Sequence, residues 1–282
     1  MKHQINITEF KKNVKADFNT RPNYDQGSFH PRLAKGLLEL SHLQTGQRIL
    51  DIATGTGLVA IRAAKIVGST GAVVGVDISS GMLNLAQRKV KAEGLNNIEF
   101  IEADAETINF PDNSFDRILC SSAIVYLTDI PAALRQWYRF VKPGGLVGFS
   151  CFAAKAFPTG GLFREKAGDY GIAIPNPNQP LGSPEKCHQL LTEAGFQDIK
   201  VKTDQLGYYS SDTQTVAANS WRGNSKSAFG AEVFQLSPEK LAQLKTEFFA
   251  AVEQLATAQG IWIDITTFFV CARKSITFNI IK

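Results

Sequence analysis

An apolar run that ends in an acid and then in a glycine turn constrains this chain more than any other feature. Residues 49–57 read Ile-Leu-Asp-Ile-Ala-Thr-Gly-Thr-Gly, and a helical pattern of apolar residues follows from Leu58. This order predicts a strand, a tight turn and a helix N-terminus, with which α/β sheets receive nucleotide-like ligands at the carboxyl ends of their strands. Glycine suits the turn because a backbone that touches its ligand has no room for Cβ and often takes a positive φ.

Two further apolar runs also end in acids, each one βαβ unit further along the chain. Residues 72–77 end in Asp77, and residues 98–104 end in Asp104. An acid at the tip of the second strand is placed to accept hydrogen bonds from both hydroxyls of a ribose. The carboxylate of Asp104 could accept a hydrogen bond from an adenine amino group. Either aspartate could instead cap the turn or helix that follows it.

The remaining periodicity predicts an α/β fold. Apolar runs place strands near 47–52, 72–77, 97–102, 115–121 and 145–151, and amphipathic patterns place helices near 57–67, 79–93 and 130–140. Such alternation favours parallel βαβ units that are covered by helices on both faces of the sheet. A capped helix at 184–194, a strand at 196–201, a helix from 237 to about 258 and a strand at 263–272 follow.

Five separately spaced motifs now carry a family resemblance. Besides the three acidic strand ends, they are the run 114–122 and the turn Val-Lys-Pro-Gly-Gly at 141–145. Their order resembles that of class I S-adenosylmethionine-dependent methyltransferases. The residues within the motifs are most similar to the small-molecule branch that includes the ubiquinone/menaquinone C-methyltransferases. The resemblance covers residues 24–150 most closely. It implies a Rossmann-like, seven-stranded, mostly parallel sheet whose last strand is antiparallel, together with a cap or lid from inserted segments.

This interpretation divides the chain into one domain with two inserted segments. The predicted order is an N-terminal helical segment (1–45), the S-adenosylmethionine-binding core (46–151), a lid loop (152–183), a continuation of the core (184–203), a cap segment (204–258), and a final strand and tail (259–282). The lid is predicted as a loop because residues 152–182 lose periodicity and are rich in glycine and proline.

The resemblance also assigns roles to the residues that match the family motifs. Asp51 would accept a hydrogen bond from the amino-acid end of the cofactor, Asp77 would bind the ribose, and the tip of the fourth strand would line the sulfonium side. Cys120 and Met82 could equally be core residues. The predicted cofactor-binding residues are Asp51, Ala53, Thr54, Gly55, Thr56, Gly57, Asp77, Ile78, Met82, Asp104, Ala105, Cys120 and Ser121.

The methyl acceptor is predicted to be a small, partly apolar or aromatic molecule, with carbon, oxygen and nitrogen acceptors all open. Since the unperturbed pKa of histidine is near 6.5, His30 could act as a general base. Pro31 equally suits a His30 that only begins a helix, so no catalytic base is assigned. The candidate acceptor contacts are Tyr24, His30, Tyr126, Phe163, Tyr208 and Trp221.

Composition disfavours several other classes of protein. The net charge of +4 is modest and scattered, whereas nucleic-acid binding needs a concentrated basic surface. The four cysteines show no metal-ligand spacing, so no metal is expected. With no apolar signal core and no run of roughly 20 apolar residues, a cytoplasmic protein without stable membrane insertion is expected. The oligomeric state is open.

Three alternatives to a small-molecule methyltransferase remain at this point. A nicotinamide-dependent oxidoreductase also uses a glycine turn and an acid after the second strand, although the additional Asp104 favours the sulfonium cofactor. A nucleic-acid methyltransferase would commonly place an Asn/Asp-Pro-Pro-aromatic turn after strand four, where this chain has Ser-Ser-Ala-Ile at 121–124. A non-enzymatic scaffold would have no need of the acids and glycines.

Overall fold

The computed structural model describes residues 7–21, 24–25 and 27–276. The helices are α1 (Ile7–Asn19), α2 (Phe29–Ser41), α3 (Leu58–Val67), α4 (Ser80–Ala92), α5 (Ile130–Phe140), α6 (Pro158–Asp169), α7 (Pro184–Glu193), α8 (Thr213–Ser225) and α9 (Pro238–Glu253). The strands are β1 (Arg48–Ile52), β2 (Ala72–Asp77), β3 (Ile98–Glu102), β4 (Phe115–Ser121), β5 (Val141–Phe152), β6 (Gln197–Gln205), β7 (Tyr208–Ser210), β8 (Ile261–Ile263) and β9 (Thr266–Arg273).

The described residues fall into two compact units. One, the sheet unit, comprises the described part of 18–151, 183–203 and 268–282. The other, the helical unit, comprises the described part of 1–17, 152–182 and 204–267.

Seven strands form one sheet in the order β3-β2-β1-β4-β5-β9-β6. Parallel pairings join β1 to β2 and β4, β2 to β3, and β4 to β5. Strand β9 is antiparallel to β5, because Gly144 N–H donates to Lys274 O at 2.9 Å while Ala153 N–H donates to Thr266 O at 2.9 Å. The predicted seven-stranded, mostly parallel sheet with a reversed last strand is therefore confirmed.

The central strands are apolar along almost their whole length. Ile49, Leu50 and Ile52 of β1 have no solvent exposure, and Val147 and Phe149 of β5 are equally enclosed. Near-continuous burial of successive residues means that both faces of the sheet are covered, as in other parallel sheets. Because β1, β2, β3 and β4 are parallel, their carboxyl ends lie at one edge of the sheet.

The expected lid loop over 152–183 is wrong in its secondary structure, because α6 occupies Pro158–Asp169. Two adjacent glycines at 160 and 161 weaken the local helix propensity and hide the pattern. The helix forms because its tertiary packing compensates for its low intrinsic helix propensity. Phe163 and Ala167 are buried in one apolar cluster with Leu244 and Phe248 of α9.

The predicted cap segment (204–258) contains a second helix that the sequence did not indicate. Helix α8 begins where the Asp212 side chain accepts a hydrogen bond from Thr215 N–H at 2.9 Å. Only Val216, Ala217 and Ser225 of this helix are buried, so its apolar face is too small to give a clear period. Helix α9 also ends at Glu253, before the predicted position near 258.

The strand predicted at 263–272 is present as β9, but it begins three residues later, at Thr266. The carboxylate of Asp264 accepts hydrogen bonds from both the N–H and the hydroxyl of Thr266, each at 2.8 Å. This side-chain turn breaks the extended chain between β8 and β9. Strand β8 then pairs with β7 in a separate two-stranded sheet, in which Tyr208 lies opposite Ile263.

Among the described residues, no helix combines the length and the apolar character that crossing a bilayer requires.

Candidate active site

The glycine turn after β1 has a left-handed backbone at three positions. Ala53, Gly55 and Gly57 have φ values of 51°, 56° and 79°. Hydrogen bonds hold the turn against β2 and close it on itself, since Thr54 N–H donates to Val76 O and Gly57 N–H donates to Thr54 O, each at 2.9 Å. The turn therefore delivers the chain from β1 into α3 at the carboxyl edge of the sheet.

The two glycines of the turn differ in what a side chain would meet. A Cβ at Gly57 would lie 3.0 Å from Ile61 Cδ1 and 3.3 Å from Ala86 Cβ, whereas a Cβ at Gly55 would meet no heavy atom within 4 Å. Gly57 is thus required by helix packing. Gly55 instead leaves its Cβ position open beside the turn.

This difference predicts unequal effects of alanine at the two positions. Both variants adopt a left-handed conformation that disfavours alanine by roughly 1–2 kcal/mol. Gly57→Ala adds overpacking against Ile61 and Ala86, so we expect its free energy of unfolding to fall at least about 1 kcal/mol below that of Gly55→Ala. Urea denaturation of the two variants checks this order, and equal stabilities would contradict the packing argument.

Asp51 is a buried acid that has no basic partner among the residues the structure describes. It is 1% exposed, and its Oδ2 accepts hydrogen bonds from Thr54 Oγ1 at 2.6 Å and from Ala60 N–H at 3.1 Å. Burial raises the pKa of Asp51 to about 7, although both hydrogen bonds act in the opposite direction. Within the described chain no ion pair involving Asp51 is formed, so a ligand that carries a positive charge would supply the missing counter-charge.

Asp77 is oriented by two backbone groups. Its Oδ2 accepts a hydrogen bond from Gly55 N–H and its Oδ1 accepts one from Ser79 N–H, each at 2.8 Å. Burial raises the pKa of Asp77 above its ordinary value, and these hydrogen bonds limit the rise. A carboxylate offers about four lone-pair positions, so Asp77 keeps the capacity to accept from two ligand hydroxyls.

The predicted adenine contacts divide into half-buried and buried residues. Asp104, Ala105 and Ile78 are half-buried, and Asp104 Oδ1 accepts a hydrogen bond from Glu106 N–H at 3.0 Å. Met82 is buried in helix α4, where its N–H donates to Ser79 Oγ at 3.1 Å. The capping role that the sequence left open for Asp104 is therefore real.

A small pocket, partly open to solvent, forms the cavity of the sheet unit at this edge. It brings together six predicted cofactor residues and two predicted acceptor contacts from distant parts of the chain. Four further lining residues were not predicted. The lining residues are Tyr24, His30, Ala34, Asp51, Ala53, Thr54, Gly55, Thr56, Leu58, Val59, Ser121 and Ser122.

The end of β4 forms one wall of this cavity. The Cys120 side chain is fully buried, and burial raises the pKa of its thiol, so it is inert packing. Ser121 and Ser122 line the cavity, and Ser122 has a left-handed backbone with φ 58°. Its N–H donates to the buried Ser150 Oγ at 2.9 Å, which holds this uncommon conformation.

Tyr24 and His30 form another part of the cavity wall. Their rings stack with centroids 4.1 Å apart. Burial raises the pKa of Tyr24 and lowers the pKa of His30, so both side chains are neutral near pH 7 and can serve as hydrogen-bonding groups. Phe18 contacts both Tyr24 and Tyr126 edge-on, at 6.0 Å and 5.4 Å between centroids.

The other three predicted acceptor contacts belong to the helical unit. Phe163 is 1% exposed in the apolar cluster, and its ring lies 5.6 Å from that of Trp221. Tyr208 is 56% exposed on β7. Core packing accounts for Phe163, and the role of these three residues toward an acceptor stays a prediction.

Asp25, Lys89 and Asn19 make side-chain hydrogen bonds near the cavity, and the sequence did not single them out. Asn19 Oδ1 accepts hydrogen bonds from Ser79 Oγ at 2.8 Å and from Gly81 N–H at 2.9 Å, which holds Asn19 against the start of α4. Asp25 stands beside the predicted Tyr24, and that adjacency was the available signal. Lys89 gave no signal, since it reads as an ordinary exposed position of an amphipathic helix.

Comparison with known proteins identifies relatives of this chain. The model of the ubiE/COQ5 methyltransferase family matches residues 28–161. The ubiquinone/menaquinone biosynthesis C-methyltransferase UbiE of Pseudomonas fluorescens (strain SBW25) is 32% identical over 201 residues, which are 71% of this chain and 76% of that protein. The protein of the same name from Coxiella burnetii (strain Dugway 5J108-111) is 48% identical over 173 residues, which are 61% of this chain and 66% of that relative's length.

A solved structure supports the fold. The YcgJ protein from Bacillus subtilis superimposes with a TM-score of 0.61 at 17% identity, covering 87% of this chain and 99% of the other. The resemblance to class I S-adenosylmethionine-dependent methyltransferases that the motifs predicted is confirmed, and it decides against the nicotinamide-dependent alternative. The acidic strand ends, the glycine turn and the relatives agree that this chain belongs to the ubiE/COQ5 methyltransferase family.

Proposed function

We propose that this methyltransferase binds S-adenosylmethionine along the carboxyl ends of β1, β2 and β3 and methylates a carbon of a small, quinone-type ring. The observation that carries the cofactor assignment is the buried acid Asp51 beside the glycine turn, which forms no ion pair with any described residue. The choice of a carbon acceptor rests on the two relatives, both of which are named C-methyltransferases. A small molecule, rather than a nucleic acid, fits the scattered charge of the chain.

The described residues fit the parts of this cofactor. Asp51 would accept from the ammonium of its amino-acid end, and the backbone from Ala53 to Gly57 would border that end and the ribose. Asp77, held by Gly55 and Ser79, would accept from the two ribose hydroxyls. Asp104 and Ala105 would contact the polar edge of the adenine.

When bound, S-adenosylmethionine supplies an electrophilic methyl group on a sulfonium cation. The protein's task is then to hold the acceptor carbon in line with that methyl group, at about 3–3.5 Å, and to keep water away. Tyr24 and His30 line the cavity. Because burial lowers the pKa of His30, its neutral imidazole is able to accept a hydrogen bond or a proton from an acceptor hydroxyl.

Calorimetry followed by a methyl-transfer assay tests this function. We expect the wild-type chain to bind S-adenosylhomocysteine and not NADH, and to transfer a labelled methyl group to a hydroquinone with an unsubstituted ring position. Matched panels of phenol and amine acceptors separate carbon from oxygen and nitrogen methylation. Absence of S-adenosylhomocysteine binding would contradict the cofactor assignment, and preferred methylation of an amine would contradict the acceptor class.

A further inference from the structure

Asp25 and Lys89 form a small polar network with Thr56, which lines the cavity. Asp25 Oδ1 accepts a hydrogen bond from Thr56 Oγ1 at 2.5 Å, and Asp25 Oδ2 forms an ion pair with Lys89 Nζ. Lys89 Nζ also donates to the carbonyl oxygen of Thr56 at 3.0 Å. Asp25, Lys89 and Thr56 thus form a closed ring of contacts, and Thr56 belongs to the glycine turn.

This network joins three segments that are far apart in the sequence. Asp25 precedes α2, Thr56 lies in the glycine turn, and Lys89 is in the last turn of α4. The side chains of Asp25 and Lys89 are 28% and 35% exposed, so the pair is partly shielded from water and from salt. The contacts therefore restrain the segment before α2 against the glycine turn.

The restrained segment carries one wall of the cavity. Tyr24 is bonded directly to Asp25 in the chain, and its ring stacks on His30. Tyr24, His30 and Thr56 line the cavity, whereas Asp25 and Lys89 do not belong to its lining. Any effect of Asp25 on a ligand in this cavity is consequently exerted through Tyr24, His30 and Thr56.

We propose that Asp25 is a positioning residue, which through Thr56 and Lys89 sets the spacing between the Tyr24–His30 wall and the glycine turn and thereby the affinity for the cofactor. This inference rests on the proposed function. It assigns Asp25 and Lys89 no contact with the reacting atoms.

Binding of S-adenosylhomocysteine to the full-length chain tests the network. Loss of an interaction between contacting residues commonly changes an equilibrium constant by roughly two-fold to a hundredfold. We therefore expect Asp25→Asn and Lys89→Met each to raise the Kd for S-adenosylhomocysteine about tenfold. The double variant is expected to show no more than the larger single effect, since either change opens the ring. Lys89→Arg keeps the charge and the donors and is expected to restore the Kd to within about twofold of wild type.

The chain offers a matched control. Lys65 Nζ lies 2.6 Å from Glu93 Oε2, and this pair joins α3 to the residue after α4. Glu93→Gln removes an ion pair of the same kind outside the cavity lining, and it is expected to leave the Kd unchanged. If Asp25 had only a structural role, Asp25→Asn would lower the melting temperature, but the KM for S-adenosylmethionine would not change more than kcat does.

Failure of this inference and failure of the proposed function give different results. Wild-type binding together with unchanged Kd values for Asp25→Asn and Lys89→Met would overturn the positioning role alone. Additive effects in the double variant would also overturn it, because they would show two independent contacts. If the wild type itself did not bind S-adenosylhomocysteine, the proposed function would fall and this inference with it.

Discussion

Replacement of Asp77 by alanine is expected to weaken the binding of S-adenosylhomocysteine at least about 100-fold, because hydrogen bonds to a charged acceptor contribute about 1.5–3 kcal/mol each. The variant loses both acceptor oxygens that the ribose hydroxyls would use. It also leaves Gly55 N–H and Ser79 N–H without the carboxylate that now orients them. The position of the glycine turn and the start of α4 are therefore affected together with the ribose site.

The measurement is titration calorimetry of Asp77→Ala beside a control at the opposite edge of the sheet. Asp116, near the start of β4, accepts hydrogen bonds from Arg48 N–H and Lys142 Nζ, each at 2.8 Å. Asp116→Ala is expected to lower stability and to leave the Kd unchanged. A Kd for Asp77→Ala within threefold of wild type would refute the ribose assignment.

Asp51→Asn is expected to make the ligand-free protein more stable at pH 8 and less able to bind its cofactor. An asparagine Oδ1 can accept the hydrogen bonds from Thr54 Oγ1 and Ala60 N–H that Asp51 Oδ2 now accepts. The amide, however, carries no charge. The variant thus keeps the local structure and loses the electrostatic attraction to a cationic ligand.

The stability gain follows from the raised pKa of Asp51, which is about 7 in the folded chain. In the unfolded chain an aspartate ionises near pH 3.9. The folded state therefore holds a proton that the unfolded state has lost between pH 4 and 7, and stability falls as the pH rises through this window. Above pH 7 the full penalty is present, with an upper bound of about 4 kcal/mol at 1.4 kcal/mol per pKa unit.

Urea denaturation of wild type and Asp51→Asn at pH 4.5 and pH 8 measures this difference. The two proteins should be nearly equally stable at the lower pH, and the variant should be the more stable one at the higher pH. A variant that is less stable than wild type at pH 8 would contradict the buried, unpaired carboxylate. Calorimetry on the same samples should show weaker binding of S-adenosylhomocysteine by the variant.

The sequence located the acids of this site because their signal is local. Asp51 and Asp77 each end an apolar run, and parallel strands must bring such ends to one edge of the sheet. The positive φ of Gly55 and Gly57 was likewise implied by residues within a few positions of the turn. Ser122 escaped prediction because a left-handed serine has no local pattern, and its partner Ser150 lies on another strand.

Helices α6 and α8 show where local reasoning failed. Both have weak periodicity, and α6 contains two adjacent glycines. Packing of Phe163, Val216 and Ala217 in one cluster with α9 stabilises them, and this packing depends on residues up to about 90 positions away. The Asp25–Lys89 pair is the same kind of case, since two charges separated by 64 residues give no pattern in the sequence.

By itself, the sequence determined the sheet, the glycine turn, the acids at three strand ends and hence the family, because each of these depends on residues close together in the chain. Only the tertiary structure decided that Asp51 forms no ion pair within the described part of the chain, that Asp77 is held by Gly55 and Ser79, and that Asp25 reaches Thr56 and Lys89. Charge pairing and desolvation depend on which segments meet in space, and chain order does not encode that locally.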